Sequence, residues 1–250
     1  MGAMESGGAS PFPQTSTPQS GMANDTPIEQ RKRKICVYCG SSAGKKPEHM
    51  EAARELAKVM AENNIGLVYG GGTIGLMGEI ARSLVSLSGP DAVHGIIPEP
   101  LVRYERDPTY TSSVVNGNQN LAIPEESVFG KTTIVPDMHT RKKMMAQEVA
   151  SGGPGSGFIA LPGGFGTMEE LLEICTWNQL GIQSKGICVL NINGFYDGLL
   201  EWIRKSVEEG FIRPGNEDIL VSASTPAEAV KALAEYKVSE SVLKLKWGNE

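Results

Sequence analysis

A doubly wound α/β fold, one parallel sheet with helices on both faces, is what this sequence predicts, and three observations carry it. Short apolar runs alternate with helix-periodic stretches from Lys34 to Tyr236. Glycine-rich loops fill strand-to-helix junctions at Gly40-Ser41-Ser42, Gly70-Gly71-Gly72-Thr73 and Pro162-Gly163-Gly164-Phe165-Gly166-Thr167. Strands joined by helical crossovers pair in parallel, which brings all three loops to the carboxyl edge of the sheet, where such folds bind ligands.

The elements follow in order. Residues 1–30, rich in Gly, Ser, Pro, Thr and Gln, hold too few large apolar groups to offset the entropy of ordering, and they predict a disordered tail. A single domain over 31–240 and a C-terminal tail over 241–250 complete the chain. Ile35–Cys39 is the first strand, Pro47–Glu62 a helix and Ile65–Tyr69 the second strand; Gly70 to Gly78 opens a helix running to Ser88. Val93–Ile97 is the third strand. An irregular stretch from Pro98 to Pro136 holds a short strand at Thr132–Val135, and a helix follows over Met138–Ala150. After the loop 151–156, Phe158–Leu161 forms a strand, and a helical pattern continues past Leu171. Gly186–Asn191 is a strand, Phe195–Glu209 a helix, Asp218–Val221 a strand and Pro226–Tyr236 a helix.

Composition narrows the function. The 250 residues are 40% hydrophobic and 21% charged, ordinary for a soluble globule. With 23 Lys and Arg against 29 Asp and Glu the net charge is −6, so no broad basic field exists to hold nucleic acid or anionic lipid. No apolar run reaches membrane-spanning length and no signal-peptide core opens the chain, which predicts a cytoplasmic protein. Cys36-Val-Tyr-Cys39 has redox or zinc spacing, but residues three apart on a strand point to opposite faces, so buried structural cysteines are expected. His49, His94 and His139 have no metal-ligand spacing; neither a metal nor a cofactor is predicted.

Residues 162–170 carry the chemistry. Three glycines let the backbone approach an anion, and the first turn of the following helix supplies N–H donors and partial positive charge, a seat for phosphate. Glu170 sits one turn inside, and a cation is expected beside it, which Arg141 and Lys142 can supply. A competing explanation is that Thr167-x-x-Glu170 is a capping box; a cap, however, requires neither three glycines nor Pro162. Gly70-x-Gly72-x-x-Gly75 matches a dinucleotide fingerprint, but the acidic residue it needs would lie near Glu99, between Pro98 and Pro100. Contact with another ligand, through Gly71 and Gly72, and simple tight packing both remain open. Asp137 is a plausible N-cap for the helix bearing Arg141 and Lys142.

Taken together, Cys39-Gly40-Ser41-Ser42, Gly70-Gly71-Gly72 with Gly75-Leu76-Met77-Gly78, Ile97-Pro98, Met138-His139-x-Arg141-Lys142, Pro162-Gly163-Gly164-x-Gly166-Thr167-x-x-Glu170 and Thr176-Trp177-x-Gln179-Leu180-Gly181 resemble the LOG family of cytokinin-activating phosphoribohydrolases. The resemblance covers residues 34–236. It implies a Rossmann-like homodimer that splits the N-glycosidic bond of a nucleoside 5′-monophosphate, AMP or an N6-modified form. Arg141 and Glu170 would then be the catalytic pair. Lys142, Gly164, Phe165, Gly166, Thr167, Met168, Glu169 and Thr176 would line the nucleotide, beside the loop residues Gly40, Ser41, Gly71 and Gly72. A further family glutamate would be Glu125 or Glu126. Residues 102–133 and 151–157 are longer than in short members. Molybdenum-cofactor carriers, which have a similar loop and bind without turnover, are the alternative class.

Overall fold

In the computed structural model residues 31–106 and 123–243 are described, with Pro27 and Leu245. Nearly all of the 1–30 and much of the 241–250 tail assignments fall outside the described residues, as does 107–122 of the long segment. The strands are β1 (Lys34–Tyr38), β2 (Gly66–Tyr69), β3 (Val93–Pro98), β4 (Lys131–Val135), β5 (Gly157–Ala160), β6 (Gly186–Leu190) and β7 (Leu220–Ala223). The helices are α1 (Pro47–Glu62), α2 (Gly75–Ser88), α3 (Glu126–Phe129), α4 (Met138–Ala150), α5 (Phe165–Gln179), α6 (Asp197–Glu208) and α7 (Pro226–Glu235).

One seven-stranded sheet has the order β4-β3-β2-β1-β5-β6-β7, and every pairing is parallel. The chain starts at the centre, walks out to β4, then returns to place β5 on the other side of β1. That reversal opens a crevice at the carboxyl ends of β1 and β5. Their loops meet there, with Gly40 N–H donating to the Pro162 carbonyl at 3.0 Å.

Alternation along the buried strands sorts side chains into two cores. Ile35, Val37, Leu67, Tyr69 and Ile159 pack with α1, α2 and α7, whereas Cys36, Tyr38, Val68, Phe158 and Ala160 pack with α4 and α5. Cys36 and Cys39 accordingly fall in different cores, and both are buried free thiols. α1 begins with Pro47, whose fixed φ and missing N–H suit a first helical position. α4 has the expected cap: Asp137 accepts from Thr140 N–H at 2.8 Å and from its hydroxyl at 3.0 Å.

Many boundaries shift by a residue or two from the sequence pattern, and three differences have a clear structural form. A 3₁₀ turn takes Glu217–Ile219, displacing β7 two residues onward. α3 is a single turn inside the irregular stretch, too short to show periodicity. α5 begins at Phe165, two residues before the Thr167 that a capping box would place outside it.

Gly75 holds α2 against the β1 loop. Its φ is +57°, and a Cβ there would fall on the Ser41–Ser42 peptide, which is backbone and has no rotamer to escape into. Gly75→Ala should therefore cost about 2–3 kcal/mol in urea unfolding. Gly198→Ala, on α6 with open space around its Cβ position, should leave the midpoint unchanged or higher.

Candidate active site

α5 starts at the crevice with Gly164 as N-cap and no side chain capping it. The N–H groups of Phe165, Gly166 and Thr167 form its first turn, where no intrahelical acceptor exists. A Cβ at Gly164 or Gly166 would meet nothing within 4 Å, and the Phe165 ring is 97% exposed. Packing does not demand those two glycines; they leave the amide donors open to an approaching group. Gly163 is different, because the Thr167 hydroxyl occupies the place of its missing Cβ.

The capping-box explanation fails on this geometry. Thr167 is the third residue of the helix and buried beneath Gly163, and Glu170 is the sixth, turned inward. The glycine fingerprint after β2 fails as a dinucleotide seat for a separate reason. The first amides of α2 already have an acceptor, since Leu76 and Met77 N–H donate to the Gly40 carbonyl at 3.1 and 3.4 Å. Gly71, at φ +78°, packs on Ile97, and Gly70 makes room for the Arg141 guanidinium. Gly72 alone of the three borders an acidic side chain, Glu105.

Arg141 projects from the first turn of α4, and its Nη2 lies 3.1 Å from Glu170 Oε1. Both residues are buried, at 5% and 6% exposure. Burial pushes the Glu170 carboxyl up to about 7; Arg141 opposes the shift, while Glu169 and Glu105 add to it. Three polar atoms here, Arg141 Nε, Glu170 Oε1 and Glu105 Oε2, are buried with no hydrogen-bond partner among the described residues. Such a concentration is unusual in a folded interior, and these atoms have hydrogen-bonding capacity left over for a group from outside the fold, water or ligand.

Glu105 is the site residue that the sequence pattern hid. Its carbonyl accepts from Thr73 N–H at 2.8 Å, and its own carboxyl is raised by burial against the pull of Arg141. The available signal was position, an acid just beyond the carboxyl end of β3. Glu125 and Glu126 are not its equivalents: both are exposed beside α3, ahead of β4 at the amino edge of the sheet.

Other predicted residues scatter. Gly40 and Ser41 form the crevice wall, and Met168 is half-buried behind the cradle. Lys142 is buried in ion pairs with Glu169 and with Glu173 at 3.0 Å, so it faces a groove of about 550 Å³ between α4 and α5. Thr176 is exposed and donates to the Leu172 carbonyl. It lies about 18 Å along α5 from Gly164 at 1.5 Å per residue, out of reach of the cradle in its own chain. No His, Cys, Asp and Glu cluster suited to a metal occurs among the described residues.

Residues 77–233 match the family profile described as possible lysine decarboxylase. A cytokinin riboside 5′-monophosphate phosphoribohydrolase of Arabidopsis thaliana is 46% identical over 204 residues, covering 82% of this chain and 83% of the relative. The chain belongs to the LOG family. A probable phosphoribohydrolase of the same specificity from Oryza sativa is 43% identical to this LOG chain, covering 89% of it and 82% of the relative. A bifunctional cytokinin biosynthesis protein of Fusarium pseudograminearum is 49% identical over 219 residues, and the LOG chain covers 43% of its length. Among solved structures, the molybdenum cofactor carrier protein of Chlamydomonas reinhardtii superposes with TM-score 0.52 at 18% identity, covering 81% of this chain and 96% of that one. The molybdenum cofactor binding protein of Rippkaea orientalis gives 0.51 at 18%, covering 81% and 95%. At such identity the likeness shows a shared fold.

The open cradle yields a test. For a phosphate seated on these amides, Gly164→Ala should fold with an unchanged thermal midpoint yet bind AMP at least about ten-fold more weakly by calorimetry, since the added methyl projects into the open space beside the donors.

Proposed function

We propose that this protein is a phosphoribohydrolase that cleaves the N-glycosidic bond of AMP-type nucleotides, N6-modified ones included, to free base and ribose 5-phosphate. What carries the proposal is the buried Arg141–Glu170 pair lying one to two turns behind an uncapped helix start. The 5′-phosphate sits on the amides of Phe165 to Thr167, with Gly40 and Ser41 as the neighbouring wall. Glu170, about 7.5 Å further along α5 at 1.5 Å per residue, then faces the ribose.

Glycosidic cleavage builds positive charge at C1′ in an oxocarbenium-like state. An ionised Glu170 stabilises that charge and orients the water that bonds to C1′ as the C1′–N bond breaks. The bonding electrons leave with the base, which takes up a proton. A carboxyl near pKa 7 suits this work, since it can hold or release a proton at neutral pH. Arg141 stays charged and acts by fixing Glu170 and ligand oxygens. Glu105 adds acceptor atoms for ribose hydroxyls.

The description of the family as a decarboxylase does not suit these residues. A Schiff base needs a neutral lysine amine. Although burial works against its charge, Glu169 and Glu173 outweigh that and hold the Lys142 ammonium above its ordinary range. Nor does a carrier without turnover account for a carboxylate buried against a guanidinium beside its ligand.

The proposal extends to a cytoplasmic homodimer. Thr176 can meet a nucleotide on the cradle only from a second copy, and the α4–α5 groove with Trp177 and Ile182 is the surface for that copy. Among the described residues no helix is long and apolar enough to cross a membrane.

Purified protein incubated with AMP or N6-isopentenyl-AMP should release free base. Glu170→Gln should remain folded and lose a factor of about 10² to 10⁴ in rate; near-normal turnover, or only bound and unreacted nucleotide with the unaltered protein, would refute the proposal. The ionised carboxylate is the active form, so kcat/KM should fall as pH drops below about 7. Glu105→Gln removes a charge that raises the Glu170 value, so this acid limb should move to lower pH.

A further inference from the structure

α4 delivers Arg141 to the carboxyl edge of the sheet, yet the only side chains it buries are Arg141, Lys142, Met145 and Val149. Two of those four are charged. Apolar packing alone gives such a helix a weak hold along its own axis. Its far end, where Val149 packs in the core, is fastened by polar contacts as well. Glu148 Oε2 pairs with Lys34 Nζ on β1 at 2.9 Å, and Oε1 bonds to His94 Nδ1 on β3. The other imidazole nitrogen, Nε2, lies 2.8 Å from the Thr133 hydroxyl on β4. One carboxylate thus ties the helix to two strands of the sheet directly and to a third through His94.

Lys34, His94 and Glu148 are partly buried around a cleft of about 220 Å³, which Lys32, Asp91 and Lys131 also line. Burial opposes ionisation of Glu148, but His94 and Lys34 outweigh it and hold the carboxyl down at about 2. The Glu148 carboxylate is therefore charged throughout the neutral range. Arg141 lies seven residues away on the same rigid helix, about 10 Å at 1.5 Å per residue.

We propose that Glu148 and His94 are positioning residues, fixing α4 from the amino edge of the sheet so that Arg141 meets Glu170 in register at the carboxyl edge. The kinetic part of this inference rests on the phosphoribohydrolase reading. The phosphate cradle comes from the loops after β1 and β5 and the start of α5, none of which belongs to α4. Loosening the clamp thus leaves the phosphate cradle in place and disturbs chiefly the alignment of Arg141 with Glu170. Displacements of an ångström in such a constellation cost up to about 10² in rate.

The test combines kinetics with hydrogen exchange. Glu148→Ala should lower kcat about ten-fold with KM within about two-fold, and Glu148→Gln, which keeps part of the hydrogen bonding, should recover part of the loss. In an Arg141→Lys background, whose guanidinium alignment is already gone, Glu148→Ala should add little. Amide exchange needs no substrate: residues 141–145 should exchange faster in Glu148→Ala while α7 is unchanged. An undiminished kcat in Glu148→Ala, a full additional loss in the Arg141→Lys background, or faster exchange confined to residues 147–150 would overturn the clamp. An unaltered protein without hydrolysis would refute the enzymatic reading separately, and the exchange result would then decide the clamp alone.

Discussion

The rest of the structure turns on one buried ion pair, Arg141 against Glu170, set across the crevice where the sheet reverses direction. Withdrawing two charges from water is expensive, and their attraction offsets that only when hydrogen bonding is complete. Here it is incomplete, since Arg141 Nε, Glu170 Oε1 and Glu105 Oε2 make no hydrogen bond of good geometry among the described residues. Two carboxylates converge on one guanidinium, and burial leaves Glu170 near neutrality in its titration. Such a cluster is poor as a stabilising device and well suited to holding a polar substrate whose reaction develops positive charge.

Glycine has two roles around this pair. Gly70, Gly75 and Gly163 are glycines because a side chain, or backbone, of the protein fills the space of their Cβ. Gly164 and Gly166 face open space, so their smallness is unexplained by the fold and fits the proposed approach of a phosphate to the amides. The two helix starts at this edge differ in the same way. The amides of α2 are taken up by the Gly40 carbonyl, whereas those of α5 begin at an uncapped glycine. Two similar glycine motifs thus have different functions, one closing the fold and one opening it.

The architecture was legible in the sequence because alternation and helical periodicity report burial directly: α1 and α4 have the bounds that periodicity gives, and the parallel order follows from the crossovers. The pair itself was foreshadowed by residue types, a glycine loop, an inward acid and a nearby base. Other features depend on tertiary contacts that local pattern does not encode. Thr167-x-x-Glu170 spells a capping box, but the helix starts at Phe165 because the loop bends over the Thr167 hydroxyl. Glu105 lies in a proline-broken stretch without periodicity, and its backbone bond to Thr73 helps bring it to the site. Lys142, adjacent to Arg141, rotates by one helical step to face a different groove. His94, a lone histidine by spacing, gains its carboxylate partner from a helix more than fifty residues away.

The central claim, that a phosphorylated ribose is seated on the start of α5 with its anomeric carbon before Glu170, is tested most directly by a crystal structure with a carbocyclic AMP analogue that cannot be hydrolysed. The account predicts phosphate oxygens about 3 Å from the amides of Phe165 to Thr167, and the carbon that replaces the anomeric centre in contact with the Glu170 carboxylate. A phosphate bound at another edge of the sheet, or a ring turned away from that carboxylate, would contradict it.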